Sequence, residues 1–236
     1  MDERKLTIIE HLEELRRRLI RSLVALFGGM VISFVFWQDK VFYVLMAPIN
    51  QLGRELVLLS VTEGFLLQIK IAFIGGLITA SPVILWQLIA FLLPALYKKE
   101  KKVFWSIFLS SLILFVFGIV FAYKFVLLLG LKFLLVNFSG GLVPMISAAK
   151  YLSFVLGFLL PFGVVFEIPV AAYILTKAGL LTPQKLRQNR RYVILVVFIL
   201  AALLTPPDVI SQVLLALPML FLYEISIFIS LFAVKK

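Results

Sequence analysis

The stretch FLLPFGVVFEIPVAAYIL (Phe158–Leu175) decides the class of this protein, because a run so apolar belongs either to a membrane or to a deep core. It also holds a carboxylate, Glu167, between Pro161 and Pro169. The rest of the chain settles the choice. Of 236 residues, 63% are hydrophobic and 15% are charged, whereas soluble domains lie near half apolar and a quarter charged. Several further runs approach the ~18–20 apolar residues that cross ~30 Å of hydrocarbon. The chain is read as an all-α polytopic membrane protein, one transmembrane domain over residues 1–236. Its start, MDERKLTIIEHLEELRRRL, is too charged for a cleavable signal peptide. Residues 1–18 are read as a cytoplasmic amphipathic arm, and the first apolar run as an uncleaved anchor.

Six transmembrane helices are expected, at 19–38, 64–93, 103–123, 151–176, 192–205 and 209–232. Against these spans the basic residues sort sharply. Of 23 lysines and arginines, 17 fall on the arm, the second and fourth connections and the tail, and 6 fall on the opposite side. Loops rich in Lys and Arg stay in the cytoplasm, so the N and C termini are both expected there, in a multi-pass protein of the cytoplasmic (inner) membrane. The net charge of +11 is assigned to topology and to anionic lipid headgroups rather than to nucleic acid. Two segments depart from simple spans. KFVLLLGLKFLLVNF (Lys124–Phe138) is short for a span and is read as a helix extension lying against the outer surface. The fifth span, Tyr192–Thr205, reaches only about 21 Å at 1.5 Å per residue, and TPPD (Thr205–Asp208) ends it. Either this hairpin's tip sits below the outer surface and the bilayer thins around it, or the span starts earlier and Arg191 snorkels.

Glu167 is costly at membrane depth, roughly 2.5–3.5 kcal/mol on insertion scales, so it should face protein or water. Pro169 deprives the Val165 carbonyl of its helical donor, and Pro161 does the same to Gly157, so a bent helix with a concave face is expected. Pro82 and Pro218 should bend spans two and six. Glu224 is a second carboxylate at similar depth on this polar, concave face. Taken alone, Glu167 fits a polar helix contact, the site of a proton- or ion-coupled small-molecule transporter, or a receptor for a polar group entering from the cytoplasm. On the cytoplasmic side, Glu13–Arg17 and Glu14–Arg18 have the i,i+4 spacing of intrahelical ion pairs. Glu100 stands among four lysines in LYKKEKK (Leu96–Lys102). Both acidic segments read either as solvated surface or as converging carboxylates for a guanidinium, whose planar fork they match. No cysteine is present and His11 is the one histidine, so no metal site and no cofactor is expected. Nor is there a Ser-His-Asp set or phosphate loop, and an enzyme is not expected.

Four motifs together resemble the TatC family, the multispan core subunits of twin-arginine protein translocases. They are HLEELRRRL (His11–Leu19), SPVILWQLIAFLLPALYKKEKK (Ser81–Lys102), YLSFVLGFLLPFGVVFEIPVA (Tyr151–Ala171) and LLTPPDVISQ (Leu203–Gln212). The resemblance runs over essentially the whole chain. It implies a receptor for twin-arginine signal peptides of folded proteins, exported at the expense of the proton motive force. It also implies assembly with itself and with TatA-type and TatB-type single-span subunits. Carried over by position, Glu14 and Glu100 match the acids that meet the arginine pair. Phe91 and Leu96 match the signal-contacting region, and Arg16 a sensitive position of the arm. Pro48 matches a proline of the first outer loop, and Glu167 the polar residue of the fourth span. Thr205, Asp208 and Gln212 match the hairpin tip where small subunits dock. The acidic tail of some members is not expected after Lys236.

Overall fold

In lipid the backbone has no water to bond, so apolar segments satisfy themselves as helices. The computed structural model describes residues 8–92, 101–137, 145–204 and 209–234. Helix α1 (Ile8–Ile32) passes through a π-helical turn (Ser33–Trp37) into α2 (Gln38–Gln51). A short strand β1 (Leu56–Val57) and helix α3 (Glu63–Leu92) follow. Helix α4 (Lys101–Phe121) continues through π-helical turns and α5 (Leu128–Lys132) as far as Asn137. Strand β2 (Ile146–Ser147) then leads into α6 (Ala148–Val165) and α7 (Ile168–Lys177). The last three helices are α8 (Pro183–Gln188), α9 (Arg190–Leu204) and α10 (Val209–Val234).

Among the described residues, five helical stretches are long and apolar enough to cross a membrane: Leu12–Gln51, Glu63–Leu92, Lys101–Leu135, Ala148–Lys177 and Val209–Phe232. Helix α9, at 15 residues, spans about 22 Å and is shorter than a bilayer core. The first and third stretches run well past the sequence boundaries. The first extends because the chain stays helical through the π-helical turn and resumes as α2 from Gln38, after Trp37 at φ −125° and ψ −2°. The third extends because the chain stays helical from Lys124 as far as Asn137, the helix extension the sequence suggests. Val126, Leu127 and Leu131 are buried in the main core beside Leu45, Ile49 and Leu152, while Lys124 and Lys132 stay exposed.

The prolines divide into two groups. At Phe166–Glu167 the fourth stretch breaks, and Pro169 stands in the first turn of α7, where no helical N–H is missed. Pro161, Pro82 and Pro218 instead lie inside uninterrupted helices. For Pro82 the physical reason is visible. Ser81 Oγ donates to the Ile78 carbonyl that Pro82 leaves open, at 2.8 Å. Helix α1 packs along α3 at backbone contact. A Cβ on Gly29 would lie 2.6 Å from the Gly76 carbonyl oxygen, and a Cβ on Gly76 2.6 Å from Met30 Cγ. Small residues that admit such an approach are how membrane helices gain packing energy without a hydrophobic drive between them.

The strands pair in parallel, Leu56 with Ile146 and Val57 with Ser147, and tie two loops on the face opposite the arm. Beneath them Glu63 is buried. Its carboxylate accepts from Leu59 N at 2.5 Å, from Ala149 N at 3.0 Å and from the Ser147 hydroxyl. Ser147 in turn caps α6 by accepting from Lys150 N at 3.2 Å. Glu63→Gln puts an amide donor against these donors, and it is expected to cost about 1–3 kcal/mol. A lowered melting temperature, with faster exchange at the Ala149 amide, is the readout. An unchanged melting temperature would show the latch to be idle.

Candidate functional site

On the arm's face, Glu14 is set by a chain of three side chains. Arg18 donates to Glu14 Oε1 from Nη2 at 2.5 Å and from Nε at 3.0 Å. The same guanidinium reaches Gln87 Oε1 at 3.5 Å, so α1 is held to the last turns of α3. One residue before Gln87, Trp86 meets Phe104, Trp105 and Phe108 edge-on, with centroids 4.8, 5.3 and 5.2 Å away. Those three rings belong to the first turns of α4. The cluster therefore fixes both helix ends that flank residues 93–100. Phe91 is half-buried in the last turn of α3. Arg16 is exposed and lines a shallow hollow with Glu13 and Arg17. Leu96 and Glu100 lie outside the described residues.

At membrane depth, Glu167 sits at the break between α6 and α7. Ser111 Oγ of α4 donates to its Oε2 at 2.5 Å, and its Oε1 is buried with no partner among the described residues. The break exists where a helix that continued would have to carry this carboxylate among Phe162, Phe166 and Val165, all buried. Glu224 has different surroundings. It is half-exposed and accepts from Arg190 Nη2 of α9 at 2.6 Å. The two acids, placed on one face by the sequence, therefore meet different helices.

In the last hairpin Gln212 Nε2 donates to the Phe198 carbonyl at 3.0 Å and staples α10 to α9. Thr205 and Asp208 lie outside the described residues. Pro48 is buried in the last turns of α2 and, lacking an N–H, leaves the Val44 carbonyl open. The Tyr123 hydroxyl donates to that carbonyl, and Tyr151 Oη reaches the next one, Leu45 O, at 2.7 Å. Tyr123→Phe is expected to lower stability by about 1 kcal/mol. In a Pro48→Ala background the loss should shrink, because the backbone N–H that alanine restores can fill the same carbonyl. Melting temperatures of the four proteins check this, and equal losses in both backgrounds would break the link between Pro48 and Tyr123.

The family model of the Sec-independent protein translocase protein TatC matches residues 10–218. The chain belongs to the TatC family. It is 47% identical over 238 residues to the TatC protein of Carboxydothermus hydrogenoformans, covering 100% of this chain and 97% of that one. The Escherichia coli K12 TatC protein is 40% identical over 232 residues, covering 97% of this chain and 90% of its own. A crystal structure of the twin arginine translocase receptor TatC superposes with TM-score 0.87 at 46% identity, over 95% of this chain and all of that one. A second TatC structure, in the detergent DDM, gives 0.85 at 47% identity.

TatC membership makes the chain a translocase subunit and not an enzyme, and sets aside the ion-coupled transporter. The sequence reading missed Glu63, taken as loop. The signal was present: an acid opening an apolar run after Ser60 and Thr62 is how a helix start is written. It also missed Ser111 and Gln87, polar residues whose importance comes only from what they face.

Proposed function

We propose that this TatC-family chain is the receptor and assembly core of a twin-arginine translocase. In this reading it lies in the cytoplasmic membrane as six spans, α9 being the fifth, with both termini in the cytoplasm. The charge asymmetry of the loops supports that orientation. Glu14 and Glu100 take the two arginines of a signal peptide, and Phe91, Leu96 and Arg16 border that contact. The observation that carries this is the Glu14–Arg18–Gln87 chain. In it the arm's carboxylate is already engaged by a guanidinium near the end of α3, the helix that precedes Glu100 in the chain.

A guanidinium already lies on Glu14, so the carboxylate is pre-formed for the fork geometry a signal arginine presents. The apolar part of the signal enters along the concave wall bent at Glu167, whose unpartnered oxygen accepts a polar group of a signal or partner helix. TatA-type and TatB-type subunits dock at the last hairpin, where Gln212 supports the tip bearing Thr205 and Asp208. Self-association and contact with anionic lipids complete the assembly, and the proton motive force drives transport.

The test is binding of a labelled twin-arginine signal peptide to the purified protein, against a twin-lysine peptide. Lysine is a compact charge without the bidentate fork, so the twin-lysine peptide should bind at least about 10-fold more weakly. Equal binding of the two peptides would remove arginine recognition.

A further inference from the structure

Between the first half of α4 and α7 runs a groove of about 690 Å³, closed on one side by Ile229 of α10. Its two ends differ in chemistry. Lys102 and Lys177 stand at one end, with Ser106 and Tyr173 just inside. Beyond them the lining is mainly apolar, through Ile107 and Val170 to Leu114, with Ser110 the one hydroxyl among the described lining residues there. No acidic residue is among the described lining residues. The chain's path puts both lysines on the arm's side of the membrane. Lys102 begins the third membrane-crossing stretch and Lys177 ends the fourth, so an even number of crossings separates each from the arm.

From Lys102 to Leu114 the helix rises about 18 Å, slightly more than one leaflet of a ~30 Å hydrocarbon core. A cationic mouth at headgroup level over an apolar channel one leaflet deep matches a single amphiphile with an anionic head. We infer that this groove binds one anionic phospholipid of the arm-side leaflet. Its phosphate lies between Lys102 and Lys177, its glycerol region is within reach of Ser106 and Tyr173, and an acyl chain fills the channel to Leu114. Paired lysines are suited to a phosphate, which accepts from point charges in any direction. The inference goes beyond signal recognition and uses none of the residues assigned to it.

The experiment is native mass spectrometry of the whole protein in detergent, titrated with phosphatidylglycerol, phosphatidylcholine or glycerol 3-phosphate. One phosphatidylglycerol should bind, with phosphatidylcholine about 10-fold weaker and glycerol 3-phosphate not competing. The Lys102→Gln/Lys177→Gln variant should lose about 10-fold in phosphatidylglycerol binding, and Lys102→Arg/Lys177→Arg should keep it. Leu114→Trp, which fills the channel and leaves the lysines intact, should also lose it. Equal binding of the two lipids, or unchanged binding in both the glutamine and tryptophan variants, overturns the proposal. Competition by glycerol 3-phosphate reduces the site to an anion site and overturns it too. So does stoichiometric release of the lipid by a twin-arginine peptide, which would make the peptide the occupant. Peptide affinity measured on the same samples reports signal recognition separately, so either reading can fail alone.

Discussion

Glu14→Gln is expected to weaken twin-arginine peptide binding by about 10- to 150-fold, and Arg18→Gln to strengthen it about twofold. The first figure follows from losing a hydrogen bond to a charged group, about 1.5–3 kcal/mol. The second follows from the contact Arg18 makes at rest. It occupies Glu14 Oε1 through two nitrogens, and the side chains are 18% and 26% exposed. A signal arginine must displace it. An i,i+4 pair so placed is worth about 0.3–0.5 kcal/mol, which sets the gain when it is removed. The two signs separate recognition from architecture. If Glu14 merely held the arm to α3, breaking its contact from either end would act alike, and both variants would bind less. Peptide titration of the two variants decides. Loss of affinity in Arg18→Gln equal to that in Glu14→Gln would return Glu14 to a structural role.

The helical plan was legible because lipid removes the alternatives: apolar runs of this length have one backbone solution. The break at Glu167 was legible for the same reason, since Pro169 and a carboxylate side by side cannot continue a buried helix at low cost. What sequence could not resolve was where each helix stops. The extension from Lys124 was legible as a helix, but its end at Asn137 and the burial of Val126, Leu127 and Leu131 beneath the exposed Lys124 and Lys132 were not. How the carbonyls opened by proline are satisfied was only partly legible. The Ile78 carbonyl opened by Pro82 is filled by the adjacent Ser81, whereas the Val44 carbonyl opened by Pro48 is filled from a residue 79 positions away. The second repair depends on a tertiary partner and leaves no local mark. The site divides in the same way. Glu14 and Glu167 stand out as charges out of place, whereas Gln87, Ser111 and Glu63 become informative only once their partners are known. Glu224 had the composition of an embedded acid and the geometry of a surface pair with Arg190.

Glu167→Gln is expected to leave the fold intact and to cut transport about 10-fold. The reasoning starts from the two carboxylate oxygens. Oε2 accepts from Ser111 Oγ at 2.5 Å, and Oε1 is buried with no partner among the described residues. A buried acceptor left unpaired costs about 1–3 kcal/mol, and an ionisable group at this depth costs further. The fold therefore gains nothing from the second oxygen, and glutamine, of the same shape, keeps the Ser111 contact while removing the charge. Groups that burden stability and persist are the ones whose removal trades function for stability. The melting temperature of Glu167→Gln should match or exceed that of the unaltered protein, while export by membrane vesicles carrying it falls. Glu167→Ala removes polarity and leaves a cavity, so it should lose both stability and transport. Ser111→Ala frees Oε2 and should lower transport less than either, because the carboxylate remains. Normal export by Glu167→Gln would show that the charge is not needed. Normal export by Glu167→Ala would show that the bend alone, set by Pro169, is what the concave wall requires.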